Sequence, residues 1–304
     1  MPTTYDPVTP VLSGDTLTIS RFLNSPAMIA RAIRELADKR FIADVLLTAR
    51  QEASGGAIQY GISESSYTDR APEAVAPGGS YPKALAVPGA AALAKISKWG
   101  QEVDVADESV GRTNLQPIQR NMLKVVNRMV QQVDGLALAT IGAAVTQTQA
   151  AAAAWSNASA DPFLDCMLAV AQVTALDEGY EPTALVTTDT LYARLVANQK
   201  VIAGLRRESS NTVTESGQVL KIAGLTLLKT NNLPAGVSAM VADTAQLGGI
   251  GYERIPSPEY EGDPANGVET RVYRDKNDKT VMRARRPVVP FVQEPNSAVK
   301  LTGV

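Results

Sequence analysis

The feature that most constrains the fold is a long amphipathic run, Thr113–Ala144. At 100° per residue its apolar side chains fall on one arc, which predicts a single helix of about 45 Å. Pro117 suits the first turn, and Thr113 and Asn114 are candidate caps. We place Asp134 on the opposite, water-facing arc, and we expect the apolar last two turns to be buried on every side. The apolar arc contains Ile118, Met122, Val125, Val126, Met129, Val133 and Leu136.

Composition limits the chemistry open to this chain of 304 residues. It contains no histidine, which removes the commonest general base and metal ligand. The single cysteine, Cys166, excludes an internal disulfide and a cysteine metal cluster. A net charge of -2 argues against a protein whose main task is to neutralise nucleic-acid phosphates. We see neither a membrane span nor a signal peptide, so we expect a cytosolic protein.

The segments before the long helix differ sharply in pattern. Residues 1–24 have no usable period and predict an extended arm, and residues 25–54 predict a short helix with a connector. Residues 55–93 begin with a strand-like run and are then broken repeatedly by glycine and proline. So long a structureless loop is unusual in a compact domain, so it is either an extended hairpin or disordered. Residues 95–105 then predict a strand that leads to the helix.

Beyond the helix, helical and strand patterns alternate, which predicts a compact α/β domain. Asp161 and Pro162 should start a helix that ends near Gly179. We predict further elements at Ala184–Thr187, Asp189–Asn198, Leu225–Lys229 and Val237–Ala242, with a surface loop at Glu208–Gln218. The chain should finish with a hairpin, Val268–Tyr273 paired with Thr280–Arg285, and a closing strand, Ala298–Thr302.

Few residues are grouped in a way that could support a reaction. The densest carboxylate cluster could pair an acid with a base or hold a cation, although we interpret it as a solvated strand end. Its members are Glu102, Asp104, Asp107 and Glu108. Three closely spaced glycines later in the chain could form a phosphate-binding loop, but neither a helix pattern nor the lysine of such a loop follows them. They therefore predict a turn between domains. These glycines are Gly248, Gly249 and Gly251.

Six short segments, taken in order, carry a resemblance that covers nearly the whole chain. They are Gly55–Tyr60, Arg70–Gly79, Lys98–Gln101, Asp134, Asn232–Pro234 and Ala298–Gly303. Their order and spacing resemble the major capsid proteins of tailed bacteriophages, which have the Hong Kong ninety-seven fold. The resemblance is greatest to the capsid proteins of actinobacterial siphophages.

The resemblance implies an α+β capsid fold with named parts. These are an N-terminal arm at residues 1–24, a short helix and connector at 25–54, an E-loop at 55–93, a peripheral P-domain at 94–154 and 251–304, and an axial A-domain at 155–250. The long helix would be the spine of the P-domain. Some relatives carry an N-terminal scaffolding segment, whereas here the arm begins at once, so we expect scaffolding to be separate or absent.

The resemblance also implies a structural protein rather than an enzyme, with no cofactor or metal. Its copies would form hexamers and pentamers of an icosahedral virion shell, assembled in the host cytoplasm around double-stranded DNA. A portal and a scaffolding protein would be partners, and no membrane would be involved. Two alternatives stay open, an encapsulin-type compartment and, in another class, a carboxylate-based hydrolase.

Charge suggests which residues join neighbouring subunits. The final hairpin carries seven basic and three acidic side chains between Glu269 and Arg286, a local charge of +4. Its arginines could bind DNA, but we expect them to face carboxylates of neighbouring subunits, which would make assembly depend on salt. These candidates are Arg271, Arg274, Arg283, Arg285 and Arg286. The expected acidic partners are Glu64, Asp69 and Glu73, or else Glu102 and Asp104, for which the sequence offers no local partner.

Some relatives also join subunits covalently, through a lysine of the E-loop, an asparagine of a neighbour and a carboxylate that acts as base. The candidates here are Lys83, Asn296 and Glu294, and Lys83 is also a candidate for a non-covalent contact. Because residues at strand ends are more often simply exposed, we expect no covalent link.

Overall fold

The computed structural model describes residues 29, 31–33, 41–86, 88–109, 116–204 and 221–304. Several predicted features lie outside these residues: the arm, most of the short helix that follows it, the caps Thr113 and Asn114, and the loop Glu208–Gln218. Within the short helix, residues 31–33 are helical, and Ile29 and Ile33 are buried.

The predicted long helix is present as Gln116–Ala144, which we call the spine helix. The side chains of its apolar arc from Ile118 to Val133 are buried, as the helical period predicts. Two expectations were wrong. Asp134 is buried rather than water-facing, and Ala139 and Ala143 are exposed in the last two turns.

A five-stranded sheet covers the spine helix. Its central strand is β12 (Lys279–Val292), whose first half pairs with both β11 (Glu269–Asp275) and β4 (Ser97–Ala106), all antiparallel. The second half pairs with β10 (Gly248–Tyr252), which in turn pairs in parallel with β1 (Ala49–Glu52). Between the spine helix and the sheet lies the larger hydrophobic core, which includes Val126, Met129, Met282 and Ala284.

The glycines predicted to form a turn instead lie in the buried strand β10, so that prediction was wrong. A Cβ atom added to Gly249 would lie 2.5 Å from the carbonyl oxygen of Ala49 and 2.8 Å from the ring of Phe291. Such distances are too short for any side chain. Glycine is therefore needed here because neighbouring backbone and side chains approach closely, not because the chain turns.

A second, six-stranded sheet has the order β5-β13-β9-β6-β8-β7. Its strands are β5 (Thr148–Ala150), β6 (Ala184–Thr187), β7 (Lys221–Ile222), β8 (Leu225–Lys229), β9 (Ala239–Ala242) and β13 (Ala298–Thr302). The predicted positions of β6, β8 and β13 are confirmed. The sequence analysis grouped the closing strand β13 with the last hairpin in residues 251–304. In the structure β13 instead pairs with β5 and β9 in the second sheet.

The second sheet separates two cores, as the alternation along β9 shows. Met240 packs in the core on the spine-helix side, whereas Val241 packs in a second core on the other side. Three helices contribute to that second core or lie beside it: Pro162–Thr174, Asp189–Ala197 and Gln199–Gly204. We number the helices α1 (Ala43–Leu46), α2 (the spine helix) and α3 to α5 (these three).

The segment 55–93 contains an antiparallel pair, β2 (Ala57–Ile62) with β3 (Ala90–Lys95), in which Ala57 is opposite Lys95. Of the two predicted possibilities, the structure thus shows the hairpin. The part of residues 63–89 that the structure describes contains neither helix nor strand. We call residues 63–89 the excursion. No helix in the described part of the chain is long and apolar enough to cross a membrane.

Candidate assembly surfaces

Basic residues of the last hairpin pair with two carboxylates of β4 and with Asp107, which follows that strand. The Nζ atom of Lys279 is 2.7 Å from an Asp104 oxygen, and Arg283 and Arg274 pair with Glu102 and Asp107. The hydrogen bond from Lys279 lowers the pKa of Asp104. Glu102 and Asp104, which lack a partner nearby in the sequence, therefore find one elsewhere in the chain, because β4 pairs with β12.

Arg285 and Arg286 are buried inside the subunit, whereas the charge pattern of the sequence had placed them on its surface, facing a neighbouring subunit. The Nε atom of Arg285 donates to Glu269 at 2.6 Å, and its guanidinium lies 3.7 Å from the centre of the Tyr260 ring. Arg286 is 0% exposed, and its Nη2 donates to Asp44 at 2.7 Å. Both arginines stabilise the subunit itself.

Arg271 lies nearer the surface. Its Nη1 is 2.8 Å from an oxygen of Glu259, and its guanidinium stacks over the Tyr273 ring at 4.6 Å. Arg274 and Arg283 are also partly exposed despite their partners in the chain. For these three arginines, contact with a neighbouring subunit stays a prediction.

The acidic candidates of the excursion are exposed and have their own contacts. An Asp69 oxygen accepts a hydrogen bond from the backbone N–H of Leu85 at 2.7 Å, which joins the two halves of the excursion. Glu73 pairs with Arg70 at 2.6 Å. These contacts give local order to a segment that has no regular secondary structure.

The first part of the excursion is also held against its own subunit. The two carboxylate oxygens of Glu294 accept from the backbone N–H of Glu64 and from the Tyr180 hydroxyl, each at 3.0 Å. A little further on, the Ser66 N–H donates to Glu178 at 2.7 Å, and the Tyr67 hydroxyl donates to the Asp177 carbonyl. These bonds show that the subunit itself helps to order the first part of the excursion.

The crosslink candidates occupy different settings. Glu294 already uses both oxygens as acceptors, as described above. The side-chain oxygen of Asn296 accepts a bond from Gln147 Nε2 at 3.3 Å, and Lys83 is exposed on the excursion. That no covalent link joins them stays a prediction, and both oxygens of Glu294 are already engaged within its own subunit.

The described residues contain no group of three or more cysteine, aspartate or glutamate side chains placed to hold a metal ion. Three of the four carboxylates in the cluster near residue 104 are paired with cations, as shown above. Burial of Cys166 raises its pKa to about 12, which keeps the thiol protonated and unreactive near neutral pH.

Among the described residues, sequence reasoning missed a buried polar site that centres on Asp134 of the spine helix. Its carboxylate accepts the backbone N–H groups of Ile42 at 3.2 Å and Ala43 at 3.0 Å, and so anchors the start of α1. Burial raises the pKa of Asp134 to about 6. Leu138, one turn further on, is also buried. The apolar face of the helix widens toward its C-terminal end, and this widening was the sequence signal that could have predicted the burial of Asp134.

Comparison with known proteins agrees with this architecture. The profile of a family described as phage capsid protein matches residues 89–301. No curated protein matches the chain.

Solved capsid structures share the fold at low sequence identity. The capsid structure of cyanophage P-SCSP1u is 18% identical with a TM-score of 0.58, over 86% of this chain and 87% of that one. A virus-like particle from Pyrococcus furiosus is 13% identical with a TM-score of 0.57, over 90% and 98% of the two chains. A protein of Microbacterium phage Oxtober96 is 13% identical with a TM-score of 0.56, over 87% of this chain and 91% of that one.

The family match covers well over half of the chain, and the two sheets, the spine helix and the long hairpin fit the Hong Kong ninety-seven fold predicted from the sequence. The chain therefore belongs to the phage capsid protein family, and its role is that of a structural protein of the virion shell.

Proposed function

We propose that this chain forms the hexamers and pentamers of an icosahedral shell that encloses the double-stranded DNA of a tailed phage. The observation that carries the proposal is the family match over residues 89–301. Shell assembly is the structural role of a capsid protein, and closed point-group symmetry is the usual way for identical subunits to satisfy identical surfaces.

The excursion supports assembly on physical grounds. It exposes three large apolar side chains, Tyr81, Leu85 and Tyr67, and Leu93 is exposed on the adjoining strand β3. A segment this long, without regular secondary structure or a core of its own, loses conformational entropy when it is ordered. Contact with neighbouring subunits would bury these side chains and offset that loss.

We assign the capsid-fold domains as follows. The E-loop is residues 55–93, which hold β2, the excursion and most of β3. The P-domain is residues 94–154 and 251–304, which hold the spine helix, β4, β11 and β12. The A-domain is residues 155–250, and β5 and β13 pair with its strands to complete the second sheet. Residues 1–24 are the N-terminal arm, and residues 25–54 connect it to the E-loop.

Within such a shell, contacts between subunits are partly ionic. Arg271, Arg274 and Arg283 stay accessible, and the excursion offers Glu64, Asp69 and Glu73 as acceptors and Lys83 as a donor. An exposed pair contributes only about 0 to 1 kcal/mol, but every subunit repeats it. A portal and a scaffolding protein are the further partners that we propose, with packaged DNA on the inner face.

A purified sample tests assembly directly. Negative-stain microscopy should show closed shells, and particles from infected cells should protect double-stranded DNA from nuclease. Particles that protect a protein cargo and no DNA would instead favour an encapsulin-type compartment. A soluble chain that forms no particles under any salt condition would contradict the proposal.

Deleting Glu64–Lys83 tests the role assigned to the excursion. We expect a folded, soluble subunit that no longer builds shells, because the contacts of this segment with its own subunit involve few residues of the body. The control replaces the same residues with a glycine-serine linker of equal length, which separates loss of side-chain contacts from shortening of the loop. Shells of normal size from the deletion would show that the excursion is dispensable.

A further inference from the structure

Helix α3 is apolar on two opposite faces. Its inner face packs Cys166, Ala169 and Val173 into the core on the far side of the second sheet. Its outer face presents four large side chains to solvent. They are Phe163, Leu164, Met167 and Leu168, and they are 49%, 48%, 41% and 43% exposed.

No charge interrupts this outer face. The only acidic or basic side chain between Pro162 and Thr174 is Asp165, and it points inward. Its oxygen accepts a hydrogen bond from Trp155 Nε1 at 2.9 Å. A helix at the surface of a soluble subunit normally has a polar outer face, whereas a helix that is apolar all round is normally buried.

The position of α3 in the fold explains why its own subunit leaves this face open. The helix packs on strands β13, β5 and β9 of the second sheet. The opposite side of that sheet is occupied by the core around the spine helix, as Met240 and Ala242 show. The outer face of α3 is therefore the outside of the domain in the part of the chain that the structure describes.

We propose that the outer face of α3 binds a second copy of this chain in the assembled shell. The inference rests on the proposed function, because a shell surrounds every subunit with identical copies. The contact would be heterologous, so this face on one copy meets a different surface of the next. We call the four exposed side chains, Phe163, Leu164, Met167 and Leu168, the α3 patch.

The chemistry of the α3 patch favours a protein partner over nucleic acid. Binding to DNA depends on neutralising phosphates with lysine and arginine, and the patch has neither. Lys200 of α5 pairs with Asp161, the residue that precedes α3, at 3.4 Å. Neither partner of that pair lies in the patch itself.

The size of the α3 patch fits a contact that forms during assembly. An aromatic side chain such as Phe163 carries about 150–250 Å² and the three aliphatic ones somewhat less, so four that are nearly half exposed present on the order of 300 Å². A stable interface buries about 800 Å² on each partner. The patch is thus large enough for the core of an interface and too small to hold a dimer alone, so other lattice contacts must accompany it.

Charge substitution tests the contact. Met167→Glu and Leu168→Glu should leave the subunit folded, since both side chains are already exposed, and should lower particle yield about tenfold or more. Ala193→Glu is the matched control, because it adds the same charge to an exposed position of α4, which contributes to the same core. This control should assemble like the wild type, as should the apolar substitution Leu168→Met.

The outcomes separate the two proposals. Particles at wild-type yield from both glutamate variants would overturn the α3 contact and leave shell formation intact. A wild-type chain that forms no particles would overturn both. Should a glutamate variant fail to fold, crosslinking tests the contact instead. Leu168 is replaced by a photoreactive phenylalanine, and particles are assembled from a mixture of isotope-labelled and unlabelled subunits, so that crosslinks between copies can be told from crosslinks within one copy. A crosslink between copies is expected, whereas a crosslink only within one chain, only to another protein, or none at all would overturn the contact.

Discussion

Replacing Arg286 with methionine should destabilise the subunit itself. The guanidinium is fully buried and sits 4.5 Å from the centre of the Phe41 ring. It donates to Asp44 at 2.7 Å and to the carbonyl oxygens of Pro264 and Ala265 at 3.3 and 3.2 Å. Arg286 therefore fastens the segment around α1 to the five-stranded sheet.

The size of the effect follows from these contacts. Removing one partner of a buried ion pair costs about 3–5 kcal/mol, because the other charge and the bonded carbonyl groups stay buried without it. Asp44 keeps a second partner, Arg50, at 3.1 Å, which reduces the cost. We therefore expect Arg286→Met to lower the free energy of unfolding by about 3 kcal/mol, near the low end of that range.

Urea unfolding of unassembled subunits, followed by circular dichroism, measures this change. Arg283→Met is the matched control, because Arg283 lies three residues away on the same strand and its pair with Glu102 is 36% and 41% exposed. That pair should contribute only about 0 to 1 kcal/mol. Combining Arg286→Met with Asp44→Asn should cost less than the sum of the two single changes, since they share one interaction.

One result would refute the reasoning. If Arg286→Met subunits unfolded at the wild-type urea concentration but failed to form shells, Arg286 would act between subunits. That is the role that the charge pattern of the sequence predicted.

Two further predictions concern titration and covalent linkage. Because burial raises the pKa of Asp134 from 3.8 to about 6, the native subunit binds this proton more tightly than the unfolded chain does. Stability should therefore fall by up to about 3 kcal/mol as the pH rises from about 4 to 6, and Asp134→Asn should flatten this dependence in urea unfolding; an identical pH profile in the variant would contradict it. Because Glu294 already accepts two hydrogen bonds, mature particles should give a single band near 32.1 kDa on a denaturing gel, and a ladder of higher bands would show crosslinking.

Local patterns in the sequence were sufficient where an element depends on its own residues. The spine helix follows from helical spacing of apolar side chains, and α3 begins where Asp161 and Pro162 predict, with the Asp161 carboxylate accepting the Leu164 N–H. Strand β6 likewise matches its short buried run, since all four of its residues are buried. These signals are local because the spacing of apolar residues within a segment indicates directly whether that segment is a helix or a strand.

The predicted bounds of β12 were too short. The sequence analysis ended this strand at Arg285, two residues before Pro287, a residue type that cannot donate to a strand ladder. The strand in fact continues through Pro287 and Pro290 to Val292. Pro287 still accepts a hydrogen bond from the Glu253 N–H through its carbonyl oxygen, at 3.3 Å. The pairing of the second half with β10 was not visible in the local pattern.

By itself, the sequence determined the long helix, the apolar periods of the main strands, the +4 charge of the final hairpin and the order of parts that resembles a capsid protein. The tertiary structure decided which charges meet. Arg283 lies opposite Glu102 only because β4 pairs with β12 in that register, and 181 positions separate the two residues in the chain. Likewise, Asp134 is buried because α1 packs on the spine helix and places two backbone N–H groups against it. Such partners become neighbours only when the chain folds. Helical and strand periods describe single segments and do not indicate which distant segments will pack together.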